Sequence, residues 1–248
     1  MEVIAFVNQK GGVGKTTLSI NTAAILADQG KKVLIIDNDS QSNVTSTFFN
    51  YEPTKTLYNV LLNNLDLKEI IQNTNIKNLD VAVNSIVSSD INLLLSTEIA
   101  REVKLKNAIK EAKLDYDYII IDCNPALDLS LINALVATDE VVIPIDCSAY
   151  SLTGLNNLLK FIEKLKVLNK DLKITGFVLN NVDRRTVTYK EIIDAINMYY
   201  PGMLLENYIG MNSIYSKMQF AKETIIENKK NKAFEELNAV IKELQERW

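Results

Sequence analysis

Apolar residues in this chain fall into short, nearly continuous runs, and these runs alternate with longer segments whose apolar residues recur at helical spacing. Runs rich in valine and isoleucine predict strands that are buried on both faces of a parallel sheet. Such runs cover residues 3–7, 33–36, 79–83, 118–121, 141–143 and 174–179. Predicted helices cover residues 16–29, about 90–112, 152–168, 187–199 and 233–248. The alternation predicts a doubly wound α/β fold, with a mostly parallel sheet and helices on both faces.

The composition is that of a globular protein, because 47% of the 248 residues are hydrophobic and 23% are charged. We expect one domain over residues 1–248, with a C-terminal helix at about 232–248 that packs back on the core. No apolar run approaches the roughly 18 residues of a membrane span, and no signal peptide precedes the first strand, so we expect a cytoplasmic protein. Cys123 and Cys147 are expected to be reduced thiols. The chain has no histidine, which leaves carboxylates, lysines and a bound Mg²⁺ for chemistry.

The segment KGGVGKTT, residues 10–17, lies between the first predicted strand and the first predicted helix. A glycine-rich loop at such a junction offers successive backbone N–H groups and the positive end of a helix to an anion. A nucleoside triphosphate is the predicted ligand, with Lys15 at its β- and γ-phosphates and the Thr16 hydroxyl on Mg²⁺. The other predicted contacts of this P-loop are Gly11, Gly12, Val13, Gly14 and Thr17.

The loop differs from the common P-loop, whose pattern requires glycine at position 9, where this chain has Gln9. It carries Lys10 in addition, and this lysine has no evident role within its own subunit. KGGxGK[ST] resembles the signature of the deviant Walker-type ATPases, the family that includes ParA and MinD. The resemblance implies a homodimer that sandwiches two ATP molecules, in which Lys10 reaches the nucleotide of the partner subunit and neutralises charge there.

Three carboxylates follow predicted strands at the edge where open parallel sheets bind ligands. Asp122 ends the strand at 118–121 and is predicted to be the Walker B acid, which holds Mg²⁺ directly or through water. The segment DNDSQ, residues 37–41, resembles the DxDPQ switch segment of the ParA branch. This implies that Asp39 orients or deprotonates the attacking water and that Asp37 supports Mg²⁺.

The match to the ParA branch continues along the chain but is imperfect. Ser40 stands where relatives have proline, and Asn124 stands where they have another proline. NALVATDEVVIP, residues 133–144, closely resembles the ParA pattern. Asn180 follows the strand at 174–179, where related folds place an amide that reads adenine, since asparagine can pair with both N6 and N7. We prefer Asn180 to Asn181 for this role, and a simple turn role for the pair stays open.

Basic residues are concentrated in one part of the chain, although its net charge is −4. Residues 160–232 contain 13 Lys and Arg against 8 Asp and Glu. This excess suggests either a surface that faces a polyanion or solvated lysines on helix faces. ParA-type ATPases bind non-specific DNA as ATP dimers and release it after hydrolysis that a ParB-like, centromere-binding partner stimulates. The candidate phosphate contacts are Arg184, Arg185, Lys190, Lys217, Lys222, Lys229, Lys230 and Lys232.

The resemblance therefore implies a weak Mg²⁺-ATPase that partitions a plasmid or chromosome over the nucleoid. One feature weakens the DNA prediction, because IGMNSIYSKMQ, residues 209–219, lacks the arginines of the PRNVR stretch in relatives. Two alternatives remain. A MinD-like ATPase that cycles on membranes would need a basic amphipathic C-terminal helix, and the helix here is acidic. A nucleotide-switched scaffold with negligible turnover would dimerise on ATP without hydrolysing it.

Overall fold

The computed structural model describes residues 1–86, 90–148 and 151–248. Within them, seven strands form one sheet in the order β3-β4-β2-β5-β1-β6-β7. Neighbouring strands are parallel, except that β3 is antiparallel to β4 at one edge. The strands are β1 (Glu2–Phe6), β2 (Val33–Asn38), β3 (Ile71–Asn73), β4 (Leu79–Ala82), β5 (Tyr118–Cys123), β6 (Glu140–Ile145) and β7 (Lys173–Leu179).

Every residue of β2 and of β6 is buried, because helices cover the sheet on both faces. The doubly wound α/β prediction is confirmed. The helices are α1 (Lys15–Asp28), α2 (Asn43–Phe48), α3 (Leu57–Asn63), α4 (Ile91–Leu95), α5 (Lys104–Ala112), α6 (Leu129–Ala137), α7 (Ser151–Leu165), α8 (Val187–Tyr199), α9 (Ile214–Ala221) and α10 (Lys232–Arg247). Short 3-10 turns lie at Leu67–Ile70 and Ile225–Asn228.

The C-terminal helix α10 buries an apolar stripe against the rest of the molecule. The buried residues recur at helical spacing, which is the pattern that predicted the helix. They are Ala233, Leu237, Val240, Ile241 and Leu244. Beyond the helix, the ring of Trp248 lies 5.6 Å from the ring of Tyr118, at the start of β5. In the described part of the chain, no helix is long and apolar enough to cross a membrane.

The prediction of one long helix over about 90–112 is wrong, because the chain breaks between α4 and α5. Ala100 adopts a left-handed conformation, with φ of 53°, which ends helical geometry there. The side chain of Asn133 stabilises the break from α6. Its Nδ2 donates to the carbonyl oxygen of Arg101 at 2.6 Å, and its Oδ1 accepts from the backbone N of Leu105 at 3.1 Å. A partner 28 residues away in the sequence therefore decides where α5 begins.

Candidate functional site

Glycines shape the loop that joins β1 to α1. Gly12 has a φ of 76° and Gly14 a φ of 93°, in the left-handed region that favours glycine. A Cβ at Gly14 would lie 2.2 Å from Nδ2 of Asn180, so no larger residue fits without displacement. Gly14 precedes α1 and supplies no side-chain cap to its first turn. The N–H groups of this turn are therefore not capped by residue 14 and can bind an anion.

Two buried carboxylates lie side by side where β2 and β5 end. Asp37 and Asp122 are register partners on these strands, and neither is exposed to solvent. Asp122 accepts hydrogen bonds from Oγ1 of Thr16 at 2.7 Å and from Oγ of Ser19 at 3.0 Å. Oδ2 of Asp37 accepts from the backbone N and Oγ1 of Thr45, at 2.8 and 2.7 Å. The other oxygen of Asp37, Oδ1, is buried without a hydrogen-bond partner in the described part of the chain.

The electrostatics of this pair favour a bound cation. Burial, together with the negative charge of Asp122, raises the pKa of Asp37 to about 7. Burial also raises the pKa of Asp122 to about 7, and it lowers the pKa of the nearby Lys15. A hard divalent cation with oxygen ligands would offset the buried negative charge and would give Asp37 Oδ1 a partner. The oxygens of Thr16, Asp37 and Asp122 therefore fit Mg²⁺.

A cavity of about 540 Å³ lies beside these carboxylates, within the range of roughly 300–1,000 Å³ that small-molecule sites occupy. Its walls include α2, α9 and the loop residues Gly11, Gly12, Gly14, Thr16 and Thr17, whereas Val13 is buried. Lys15 also lines the cavity, and its Nζ donates to the carbonyl oxygen of Lys10 at 3.1 Å. Asp39 is 8% exposed at the cavity, and its Oδ1 accepts from the backbone N of Gln41 at 2.9 Å.

Comparison with known proteins agrees with this geometry. A family model described as an AAA domain matches residues 1–174. The sporulation initiation inhibitor protein Soj of Bacillus subtilis is 42% identical over 214 residues, which are 85% of this chain and 85% of Soj. The chain belongs to the ParA/Soj family of partition ATPases.

Two further proteins support membership of the ParA/Soj family. The chromosome partitioning protein ParA of Myxococcus xanthus is 36% identical over 251 residues, which cover 99% of this chain and 88% of that protein. A putative plasmid partition protein from Borrelia burgdorferi, solved with bound AMPPNP, has a TM-score of 0.87 and is 25% identical, and the match covers 100% of this chain and 99% of that one. The resemblance inferred from the motifs is confirmed.

Lys10, the extra lysine of the ParA/Soj signature, has a partner within its own chain. Its Nζ donates to Oδ2 of Asp146 and, at 2.7 Å, to Oγ of Ser148. Lys10 therefore makes contacts within its own subunit that the sequence does not show. Lys10 and Asp146 are 136 positions apart, so no local sequence pattern pairs them.

Asn180 lies against the P-loop. Its Nδ2 donates to the carbonyl oxygen of Val13 at 2.7 Å, which ties the end of β7 to the loop. Its neighbour Asn181 is exposed and has a φ of 56°, a left-handed turn conformation that asparagine tolerates. The geometry gives Asn181 the turn role and leaves adenine recognition by Asn180 as a prediction.

The candidate DNA contacts divide into two groups. Carboxylates of the same chain neutralise three of them, since Arg185 pairs with Asp183, Lys229 with Asp28 and Lys232 with Glu236. The others form no ion pair with the described residues, and they are Arg184, Lys190, Lys217, Lys222 and Lys230. Lys222 donates to Oδ1 of Asn50 at 2.7 Å, which leaves its charge uncompensated.

Arg184 is held by two aromatic rings. Its guanidinium carbon lies 5.3 Å from the ring centre of Tyr208 and 5.9 Å from that of Tyr189. It also donates to the Tyr208 hydroxyl at 3.1 Å. The sequence shows no aromatic stacking pattern here because the two tyrosines are far apart along the chain. The contacts hold an exposed positive charge in a defined position.

Three residues of the site, Ser19, Asp146 and Thr45, were not predicted from the sequence. A sequence pattern could have identified the first two. Ser19 lies one helical turn after Thr16, so both side chains reach Asp122. Asp146 directly follows β6, and the strand-end rule that selected Asp122 would also have selected it. Thr45 had no such signal, because it lies on the short helix α2, which the apolar pattern does not predict.

Proposed function

We propose that this chain is an Mg²⁺-dependent ATPase that forms a homodimer with two ATP molecules between its subunits, and that the dimer binds non-specific DNA. Turnover is weak until a ParB-like, centromere-binding partner stimulates it, and the cycle partitions a plasmid or a chromosome. One domain over residues 1–248 carries out these steps in the cytoplasm, on the nucleoid. Membership of the ParA/Soj family supports the proposal. The main structural support is that Lys15, Thr16 and Asp39 line one cavity, and that Thr16 is hydrogen-bonded to the buried Asp122, the register partner of Asp37.

Residues of the P-loop bind the triphosphate. Backbone N–H groups of residues 11–17 surround the phosphates, and Nζ of Lys15 neutralises charge on the β- and γ-phosphates. Thr16, Asp37 and Asp122 hold Mg²⁺, which when bound neutralises charge on the transferring phosphoryl group. At the other end of the nucleotide, Asn180 pairs with adenine.

Hydrolysis uses two further residues. Asp39 orients the attacking water and accepts its proton at Oδ2, because Oδ1 is engaged by the backbone N of Gln41. Lys10 of each subunit neutralises charge at the nucleotide of the other subunit. With no histidine in the chain, a carboxylate is the natural base for this step.

DNA binding rests on the basic residues whose charge is not already compensated. These are Arg184, Lys190, Lys217, Lys222 and Lys230, while Arg185, Lys229 and Lys232 contribute less because each has an acidic partner. Contacts of this kind recognise phosphates rather than bases, so binding is independent of sequence and falls as salt rises.

A membrane-cycling function of the MinD type has little support. The apolar stripe of α10 is buried in the molecule and is not available to a bilayer. The helix as a whole carries four glutamates against three basic residues, so it lacks the basic excess that attracts anionic lipid.

The test is binding of a long non-specific duplex to the Asp39→Ala protein, with Mg·ATP or Mg·ADP, across a salt series. We expect binding with ATP only, and each phosphate that the dimer neutralises makes the negative slope of log affinity against log salt steeper by ~0.9. The Lys15→Ala protein is the matched control and should bind with neither nucleotide. Absence of ATP-dependent binding by Asp39→Ala would refute the DNA part of the proposal.

Turnover separates the enzyme from a nucleotide-switched scaffold. The wild type should hydrolyse ATP above the level of both the Asp39→Ala and the Lys15→Ala proteins. If all three proteins hydrolyse ATP at the same rate, the assignment of these residues is wrong. A nucleotide-switched scaffold then explains the chain better than an ATPase does.

A further inference from the structure

Lys10 is bound to a compact acceptor cluster on its own chain, which consists of Asp146, Ser148 and Ser151. Lys10 Nζ donates to Asp146 Oδ2 and to Ser148 Oγ. Oδ1 of Asp146 accepts from Ser148 Oγ at 2.9 Å and from Ser151 Oγ at 2.5 Å. The two serine hydroxyls lie 3.0 Å apart. Both oxygens of Asp146 are thus engaged, and the carboxylate is fixed in the orientation that binds Lys10.

The cluster keeps a negative charge. Burial alone would raise the pKa of Asp146, but hydrogen bonds from Lys10 and from the two serines outweigh burial and hold the pKa below its usual value. The side chain of Asp146 is 22% exposed and that of Lys10 is 38% exposed. The pair is therefore a partly screened ion pair, and a stronger anion can displace it.

The backbone around Lys10 is anchored independently of this ion pair. Nδ2 of Asn8 donates to the carbonyl oxygen of Pro144 at 2.6 Å, and Oδ1 of Asn8 accepts from the backbone N of Lys10 at 2.9 Å. Release of Lys10 from Asp146 therefore requires only side-chain rotation, while the loop stays in place. Lys10 is also absent from the lining of the cavity, although Gly11, Gly12 and Lys15 line it.

We propose that Asp146 is a positioning residue that holds Lys10 within its own chain and so opposes the ATP-dependent pairing of two chains. This inference rests on the proposed dimer, in which Lys10 serves the other subunit's nucleotide. The partner's triphosphate and Asp146 compete for one ammonium group. A triphosphate carries more negative charge than a carboxylate, so it displaces Asp146 from Lys10 when the two chains meet. A diphosphate attracts Lys10 less strongly.

The experiment measures pairing of the full chain by analytical ultracentrifugation with Mg·AMPPNP, which is not hydrolysed. Asp146→Asn keeps the shape of the side chain and removes its charge, and Asp146→Glu keeps the charge. We expect Asp146→Asn to lower the dimer dissociation constant by about two- to fivefold, as for loss of a partly exposed ion pair. Asp146→Glu should stay near the wild type.

A double-mutant cycle identifies the route of the effect. In a Lys10→Ala background, Asp146→Asn should no longer change the dissociation constant, because the held lysine is gone. An effect that persists in that background would overturn the proposal, since it would show a general structural role. Unchanged or weaker pairing of the Asp146→Asn protein would also overturn it, and weaker pairing would mean that Asp146 prepares Lys10 for the partner.

A second readout separates this inference from the proposed dimer. If the wild type does not pair with Mg·AMPPNP, the proposed dimer fails, but the hold on Lys10 can still be measured in the single chain. Acetic anhydride labelling followed by mass spectrometry reports the reactivity of Lys10, with the exposed Lys190 as internal reference. We expect faster labelling of Lys10 in Asp146→Asn than in the wild type. Equal rates would refute the inference that Asp146 holds Lys10 within its own chain.

Discussion

Substitution of Asp37 by asparagine should stabilise the nucleotide-free and metal-free protein at pH 8. The pKa of Asp37 is raised from 3.8 to about 7 in the fold, so the folded state binds more protons than the unfolded state between these values. Stability is therefore lost as pH rises from about 4 through 7. A pKa difference of about three corresponds to ~4 kcal/mol of destabilisation once Asp37 is ionised.

Asparagine removes that charge and keeps an oxygen that can accept both hydrogen bonds from Thr45. Its amide would replace Oδ1, which has no partner, and could donate to Asp122. If the amide stays unsatisfied, its burial costs about 1 kcal/mol, which leaves a net gain of about 3 kcal/mol at pH 8. With the amide unsatisfied, the gain should shrink as pH falls and become a loss of about 1 kcal/mol near pH 4, where Asp37 of the wild type is protonated.

Urea unfolding followed by circular dichroism, in EDTA and from pH 5 to pH 8, measures this difference. Asp194→Asn, which changes an exposed carboxylate on α8, is the matched control and should show no such trend. The reasoning is refuted if Asp37→Asn is less stable than the wild type at pH 8, or if the difference does not depend on pH. Added Mg²⁺ should stabilise the wild type more than the variant.

Two further predictions concern the P-loop and the DNA contacts. Gly14→Ala introduces a Cβ 2.2 Å from Asn180 Nδ2 at a positive φ, so we expect ~1–2 kcal/mol of backbone strain. Nucleotide binding measured by calorimetry should be at least tenfold weaker, and wild-type affinity would contradict the loop geometry. Arg184→Ala should weaken binding to a non-specific duplex and lower the salt slope by ~0.9 per phosphate lost, while Lys229→Ala, whose lysine pairs with Asp28, should change it less. An equal loss in both variants would show that the internal ion pair opens on DNA.

The sequence predicts those parts of the structure that are encoded locally. Each central strand is a continuous apolar run, and the P-loop is one uninterrupted segment, so both can be predicted from the sequence alone. The carboxylates Asp37 and Asp122 could be placed together because parallel strands end at one edge of the sheet.

The features that were missed depend on contacts between distant residues. Asn133 sets the break between α4 and α5 from another helix, and Asp146 binds Lys10 across 136 positions. The same limit applies to the basic segment, where counting charges cannot show that Asp28 neutralises Lys229, 201 residues away. Local patterns thus predict which chemical groups reach the site. Contacts between residues that are distant in sequence decide which of these groups already have a hydrogen-bond or ion-pair partner.

The strand order has a consequence for biosynthesis. β1 is synthesised before the other strands of this sheet, yet it lies in the interior of the sheet between β5 and β6. Its neighbours Ile120 and Val141 are made more than a hundred residues later, which takes on the order of ten seconds at typical synthesis rates. During that time the apolar residues of β1 have no strand partner, so the nascent chain depends on late residues to shelter the segment that carries its nucleotide loop.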